Sequence, residues 1–166
     1  MPESQELGAL DQLDLKLLSA LEADGRLTNA ELGDRIGLSA SQCSRRRIRL
    51  EEIGIIDGYH ARLNSGRLGL GLRAFIQVSL SPHSKENSRL FRDFVNGIEE
   101  IQEAYALTGD ADYLLKIVAA NLSGLAHVIN DLILPHASVA HVKSSIVLDE
   151  LKDSHRLPLK AAKSRA

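Results

Sequence analysis

Apolar side chains in the first third of the chain recur at helical spacing. Leu13, Leu17, Leu18 and Leu21 share one face of a helix predicted over about 12–24. Asp11 precedes it as N-cap, with Asp14 three residues on, and Gly25 stands where a glycine would stop it. Thr28-Asn29-Ala30-Glu31 is a capping box, in which Thr and Glu satisfy each other's backbone amides. Leu32 and Ile36 give that second helix its buried side, and Gly37 ends it. Ser39-Ala40-Ser41-Gln42 is a further capping box, opening a third helix from Ala40 to about Ile53, before Gly54. A short helix, the turn Gly37-Leu38-Ser39 and a second helix describe a helix-turn-helix over 29–48.

Beyond Gly54 the period changes. Asp57-Gly58 is a turn signal, and Tyr59–Leu63 alternates, which predicts a small β-ribbon followed by a linker near 64–71. Ala74, Ile76, Val78 and Leu80 alternate with Phe75, Gln77 and Ser79 and predict a strand at about 72–80, punctuated by Pro82 and Ser84. Leu90, Phe91, Phe94, Val95 and Ile98 return to helical spacing. Ile101–Thr108 and Tyr113–Ala119 are predicted strands flanking the turn Gly109-Asp110-Ala111-Asp112. A helical stripe from Leu122 to Ile133 ends at Pro135, and the β-branched run Val139–Leu148 predicts a last strand.

The order βαββαβ is that of a ferredoxin-like sandwich. The fold class is therefore α+β: an N-terminal helix-turn-helix, winged-helix-like domain plus a C-terminal ferredoxin-like domain. The expected divisions are a tail at 1–9, the helical domain with its ribbon at 10–71, the sandwich at 72–153 and a tail at 154–166. The stretch after Lys152 carries Lys160, Lys163 and Arg165 and is expected to fray. With both helices on one sheet face, the other face needs a cover. A second copy of the chain supplies it most simply, so a homodimer is expected.

Composition narrows the chemistry. Apolar residues at 44% and charged residues at 25% are ordinary for a globular chain. Tryptophan is absent, and three Phe and three Tyr are too few for the stacking platforms of an RNA-binding module. Twenty Lys+Arg against 22 Asp+Glu exclude a globally basic nucleic-acid binder but leave room for a local patch. The single Cys43 cannot form an internal disulfide, and neither a signal pattern nor a membrane-length apolar run is present, so a cytoplasmic location is expected.

The local patch is in the third helix: Arg45, Arg46, Arg47 and Arg49. A solvated basic face is the bland explanation. As the second helix of a helix-turn-helix, this segment would instead enter the major groove of DNA with its first turns near base edges. At about 100° per residue, Cys43 and Leu50 share the core side, while Ser41, Ser44, Arg45, Ile48 and Arg49 spread over the opposite side. Ser39, Ser41, Gln42 and Ser44 suit phosphates or base edges, and Arg45 suits a guanine or a phosphate. Arg46 and Arg47 flank the core and would reach phosphates or pair with carboxylates such as Glu31, Asp34 or Glu51. Through Arg67 the chain holds 9 Lys+Arg and 11 Asp+Glu. Affinity must therefore come from a focused patch, doubled in a dimer that favours near-palindromic sites.

The chain resembles the Lrp/AsnC, or feast/famine, family of transcription regulators. The resemblance is carried by Leu10-Asp11-Gln12-Leu13-Asp14, by Asp24 to Leu32, by Gly37-Leu38-Ser39 with Cys43, and by Arg45-Arg46. It continues in Leu50-Glu51-Glu52, Gly54-Ile55-Ile56-Asp57-Gly58-Tyr59, Leu68-Gly69 and Gly109 to Lys116. It implies a helix-turn-helix DNA-binding domain and a βαββαβ domain that senses a small-molecule effector, usually an amino acid. It also implies dimers that assemble further, to tetramers or octamers, with effectors between dimers near the Gly-Asp loop. On this chain that loop is Gly109, Asp110 and Asp112, and the lining positions implied are Ala74, Leu122, Ile146 and Val147. On the residues alone the loop is a plain hairpin turn, since turns favour Gly and Asp. Arg47 departs from the family, which usually has an apolar residue there. It either changes the core side of the helix or adds a phosphate contact.

Other motifs carry less. Gly69-Leu70-Gly71-Leu72-Arg73-Ala74 spells a dinucleotide motif but precedes a strand rather than opening a helix. Asp110-Ala111-Asp112 has no third metal ligand nearby, the six histidines show no zinc spacing, and no nucleophile elbow is present. No cofactor, metal site or catalytic residue is therefore expected. An alternative reading makes the chain a ferredoxin-like metabolic ligand-binding or enzymatic domain whose helices serve assembly. A salt-steep affinity for duplex DNA would separate the two.

Overall fold

A computed structural model describes residues 10–81, 84–154 and 156–159. The tail at 1–9, Pro82 and the tail residues Lys160, Lys163 and Arg165 lie outside the described residues. The chain divides into two compact units. One runs to Arg62 and resumes at Asp153, and the other is Leu63–Lys152.

Three reciprocal caps start the helices of the first unit. α1 is Gln12–Ala23, where Asp11 accepts the Asp14 N–H at 2.8 Å and Asp14 accepts the Asp11 N–H at 3.2 Å. α2 is Asn29–Ile36, capped by Thr28 and Glu31, and α3 is Ala40–Glu52, capped by Ser39 and Gln42. Gly37 ends α2 in the left-handed conformation, at φ +77°. Gly25 does not play that part for α1. The helix ends at Asp24 in an extended conformation, and the Asp24 side chain turns the chain outward by accepting the Arg26 N–H at 3.1 Å. Leu17, Leu21, Leu27, Leu32, Cys43 and Leu50 form the buried core between the three helices.

Two further features set the angle of α3. Asp14, only 1% exposed, takes Arg46 at 2.7 Å on one oxygen and Arg49 at 2.5 Å on the other. The same Arg46 nitrogen also reaches Asp11 at 2.7 Å. On the opposite side, Gly33 lets the turn approach α2. A Cβ there would lie 2.4 Å from the Leu38 carbonyl oxygen.

The expected β-ribbon and wing are not formed. Residues 57–64 carry no regular structure. The favoured two-residue hairpin turns need positive φ at one or both central residues, and Gly58 is not among the positive-φ glycines. Tyr59 is held by side chains instead. The Arg47 guanidinium sits 4.5 Å from the centre of its ring, and its hydroxyl donates to Glu51 at 2.8 Å. The described part of the C-terminal tail is also tied down rather than frayed. Arg62 pairs with Asp153, and the Leu157 N–H donates to Glu22 at 2.5 Å.

The second unit is the βαββαβ sandwich. Its elements are β1 (Leu72–Leu80), α4 (Lys85–Asn96), β2 (Ile101–Ala106), β3 (Tyr113–Ala119), α5 (Leu122–His127) and β4 (Val139–Ile146). The sheet is antiparallel in the order β2-β3-β1-β4. Ala74, Ile76, Val78, Leu80, Leu115 and Ile117 point to the core with Phe91 and Val95 of α4. Phe75, Leu114 and Tyr105 lie at the alternate positions, on the other sheet face.

The predicted second helix changes type midway. Val128–Ile133 continues α5 as a π-helix. Leu125 and Val128 are three apart, but Val128 and Ile133 are five apart, and all three are buried. The wider turn brings that last interval to the core face, and periodicity at 3.6 does not anticipate it.

Gly33→Ala tests the close approach. In an open helix this change adds about 1 kcal/mol of stability. Here the new methyl must displace backbone, so urea unfolding should show a loss of about 1–3 kcal/mol. An unchanged or raised midpoint would contradict the packing. Asp14→Ala should cost about 2–4 kcal/mol, because it strands Arg49 and leaves Arg46 only the more exposed Asp11 carboxylate. Glu86→Ala, which removes only the exposed pair with Arg89, should change stability by less than about 1 kcal/mol.

Candidate functional site

The exposed side of α3 has a mixed chemical face. Ser41, Arg45 and Ile48 are exposed there and Ser44 is half-buried. At 100° per residue the four share an arc about 100° wide. Ser39 and Gln42 are engaged in the cap, where the Ser39 N–H donates to Gln42 at 2.9 Å and the Ser39 hydroxyl lies 3.1 Å from that of Ser41.

The four arginines of α3 are not equivalent. Arg46 and Arg49 hold the Asp14 carboxylate, as described. The hydrogen bond to Asp14 is the largest cause that holds the Arg46 guanidinium above its ordinary pKa. Asp11 is held below the usual carboxylate range, first by the Asp14 N–H it accepts and then by Arg46. Arg47 turns to the core side. It reaches Glu51 at 3.3 Å, the Tyr59 hydroxyl at 2.8 Å and the Leu27 carbonyl at 3.2 Å. Of the alternatives open from the sequence, Arg47 thus pairs with Glu51, and its departure from the family's apolar residue fastens Tyr59 and the α1–α2 loop to α3. Arg45 makes no ion pair among the described residues and faces water. Cys43 is buried, which pushes its thiol pKa up and leaves it unreactive packing.

One cation escaped the sequence reading. Arg35, exposed in the last turn of α2, also makes no ion pair among the described residues. In a helix-turn-helix the first helix crosses the DNA backbone. A cation near its end was the signal available.

The residues implied for the effector fall into two groups. Gly109 has φ +133°, a conformation that favours glycine, at the turn between β2 and β3. The loop is fastened to the end of β1: Asp112 accepts the Leu80 N–H at 2.7 Å, and its own N–H donates to Val78 at 3.0 Å. The Asp110 carbonyl accepts from the Ser79 hydroxyl at 3.4 Å. Ala74 pairs with Ile146 near the start of β1, and the Val147 N–H donates to Arg73 at 2.9 Å. Six steps along the strand separate Ala74 from Leu80, about 20 Å at 3.3 Å per residue. Leu122 and Ile146 are exposed, whereas Ala74 is fully buried in the core. One protomer therefore does not bring the two groups together.

Among the described residues no cluster of three His, Cys, Asp or Glu side chains could hold a metal ion, and no helix is long and apolar enough to cross a membrane. The Gly69-Leu70-Gly71 segment follows a single 3₁₀ turn and leads into β1, with no helix behind it.

Comparison with known proteins agrees with this geometry. Residues 10–51 match the family model of the AsnC-type helix-turn-helix domain, and residues 73–157 match that of the Lrp/AsnC ligand binding domain. The leucine-responsive regulatory protein of Escherichia coli K12 is 36% identical over 151 residues, covering 91% of this chain and 92% of that protein. Transcriptional regulator NMB0573 of Neisseria meningitidis, solved as its L-Met complex, superposes with a TM-score of 0.90 at 40% identity. That match covers 93% of this chain and 99% of the other. Escherichia coli AsnC superposes with a TM-score of 0.81 at 26% identity, over 87% and 96% of the two chains. The chain belongs to the Lrp/AsnC family of transcription regulators, with a helix-turn-helix domain and a ligand-binding domain.

Proposed function

We propose that the chain is a sequence-specific DNA-binding regulator of amino-acid metabolism genes whose affinity or assembly state answers to an amino acid. The observation that carries the DNA-binding half is the uncommitted Arg45 beside Ser41 and Ser44 on the open face of α3. In this reading Arg45 pairs with a base, Ser41 and Ser44 reach phosphates or base edges, and Ser39 and Gln42 present the helix N-terminus to a phosphate. Arg35 adds a backbone contact from α2. Arg46, Arg47 and Arg49 act mainly by holding α3 in place, since their charges are already matched by carboxylates.

The working unit in this reading is a homodimer closed through the open sheet face. Phe75 and Tyr105 are exposed there and Leu114 is half-buried, beside the Lys116–Glu103 pair at 2.7 Å. A second copy would cover this apolar surface and carry a second α3, so that a near-palindromic operator is recognised with half-sites about 34 Å apart. Further assembly to a tetramer or octamer would bring the Gly109–Asp112 loop of one copy toward Leu122, Ile146 and Val147 of another. That supplies the meeting which the single protomer lacks. The L-Met complex of the Neisseria meningitidis relative supports an amino acid as the effector. Its ammonium would meet the Asp110 or Asp112 carboxylate, and its carboxylate the backbone amides of the loop. The chain then works by binding and not as an enzyme. The effector shifts assembly states only as far as it prefers one of them.

Duplex DNA affinity should fall steeply with salt, log–log, as counterion release demands. Arg45→Ala should lower affinity for a selected operator by about 1–3 kcal/mol. A salt-independent or unchanged affinity would remove the DNA-reading role. The effector is found by thermal shift against the twenty amino acids. A ligand at 100 times its Kd adds about 2.7 kcal/mol if it binds only the folded form. If no amino acid shifts the melting point, the loop is only a turn.

A further inference from the structure

Ile48 has no role in the fold that justifies its place. α3 contains two side chains that pack into the core, Cys43 and Leu50, both fully buried. Ile48 lies on the other side of the helix and is 49% exposed. A β-branched residue on an open helix face costs helix propensity relative to Ala, Lys or Glu and gains little from burial. Its neighbours one turn back are Ser44 and Arg45, and Ser41 lies one turn further. The open face thus presents two hydroxyls, one guanidinium without a carboxylate among the described residues, and one branched hydrocarbon.

The floor of the major groove has complementary groups of three kinds: acceptors, donors and one apolar group. That apolar group is the C5-methyl of thymine. We propose that Ile48 is a specificity residue that reads a thymine methyl beside the base read by Arg45. The inference rests on the proposal that α3 enters the major groove and deepens it to a base preference. Helical side chains lean toward the N-terminus, so Ile48 covers the surface over the Ser44–Arg45 turn. Three residues rise about 4.5 Å along the helix, close to one base-pair step of about 3.4 Å. The preferred half-site therefore places a thymine within about one step of the guanine that Arg45 takes.

The test uses the full chain and duplexes enriched by it from a randomised pool. Each thymine of the selected half-site is then replaced in turn by deoxyuridine, which keeps the pairing and removes only the C5-methyl. At one thymine next to a guanine, the wild-type chain should lose about fourfold in affinity, the value of one buried methyl-sized group. Ile48→Ala, which suits the helix, should bind the thymine and deoxyuridine duplexes equally. Ile48→Val should keep part of the preference.

Three results would overturn the inference while leaving DNA binding intact. They are a selected half-site with no thymine beside the guanine, tolerance of deoxyuridine at every position, or an undiminished penalty in Ile48→Ala. Failure to enrich any duplex would overturn the DNA-binding reading itself, and this inference with it.

Discussion

The Asp14 carboxylate lies almost out of reach of water between two guanidinium groups of another helix. Its position follows from the capping box that starts α1, because the same side chain also accepts the Asp11 N–H. Helix initiation, helix packing and charge balance therefore meet in one residue. A buried charge of this kind is tolerated only with its partners in place, so α1 and α3 are held at one register. Two of four arginines are committed by it, and a third is committed by Glu51, Tyr59 and the Leu27 carbonyl. A run that looks like a uniform basic patch thus becomes one open cation in a frame of balanced ones.

This arrangement fits a domain with little net charge. The first 67 residues hold more acidic than basic groups, and a diffuse positive field is absent. Discrimination between DNA sequences does not need such a field. It needs a few donors and apolar groups held at a fixed geometry, while affinity grows with the number of phosphates neutralised. A domain that directs most of its arginines inward gains rigidity at the reading face and gives up nonspecific attraction. In the proposed dimer, doubling the domain would restore affinity without loosening selectivity.

How legible the structure was from sequence follows the range of each interaction. The two capping boxes, Thr28–Glu31 and Ser39–Gln42, span four residues each and appear where expected, and the expected Asp11 N-cap proves to be reciprocal with Asp14. β1 runs over Leu72–Leu80 as its alternation predicts, because one sheet face is buried, and β3 over Tyr113–Ala119 as expected beside the Gly109–Asp112 turn. The failures involve partners distant in the chain or absent from it. Arg47 and Tyr59 are twelve residues apart, and nothing in the Asp57-Gly58 pair says that a side-chain clamp will replace a hairpin. The π-helical turn answers to the positions of Val128 and Ile133 over the sheet, which a helical period cannot carry. In the sequence Asp14 has only the spacing of a cap partner for Asp11. Its second role depended on how α3 would cross α1.

The effector positions extend the same point. Their division between the two ends of β1 is a property of one chain, and a ligand that touches both ends needs two chains. In the proposed reading, binding of that kind would be linked to assembly by mass action, because the pocket would form only between associated chains. A ligand held there stabilises association by the free energy of its own binding, and association in turn raises affinity for the ligand. The Gly109 turn is suited to such a role. Asp112 pins it to Leu80 of β1, so its backbone amides keep a fixed direction whether or not a partner is present. A preformed half-pocket loses little conformational freedom when the other half arrives, and most of the ligand's binding energy remains to favour the assembled state.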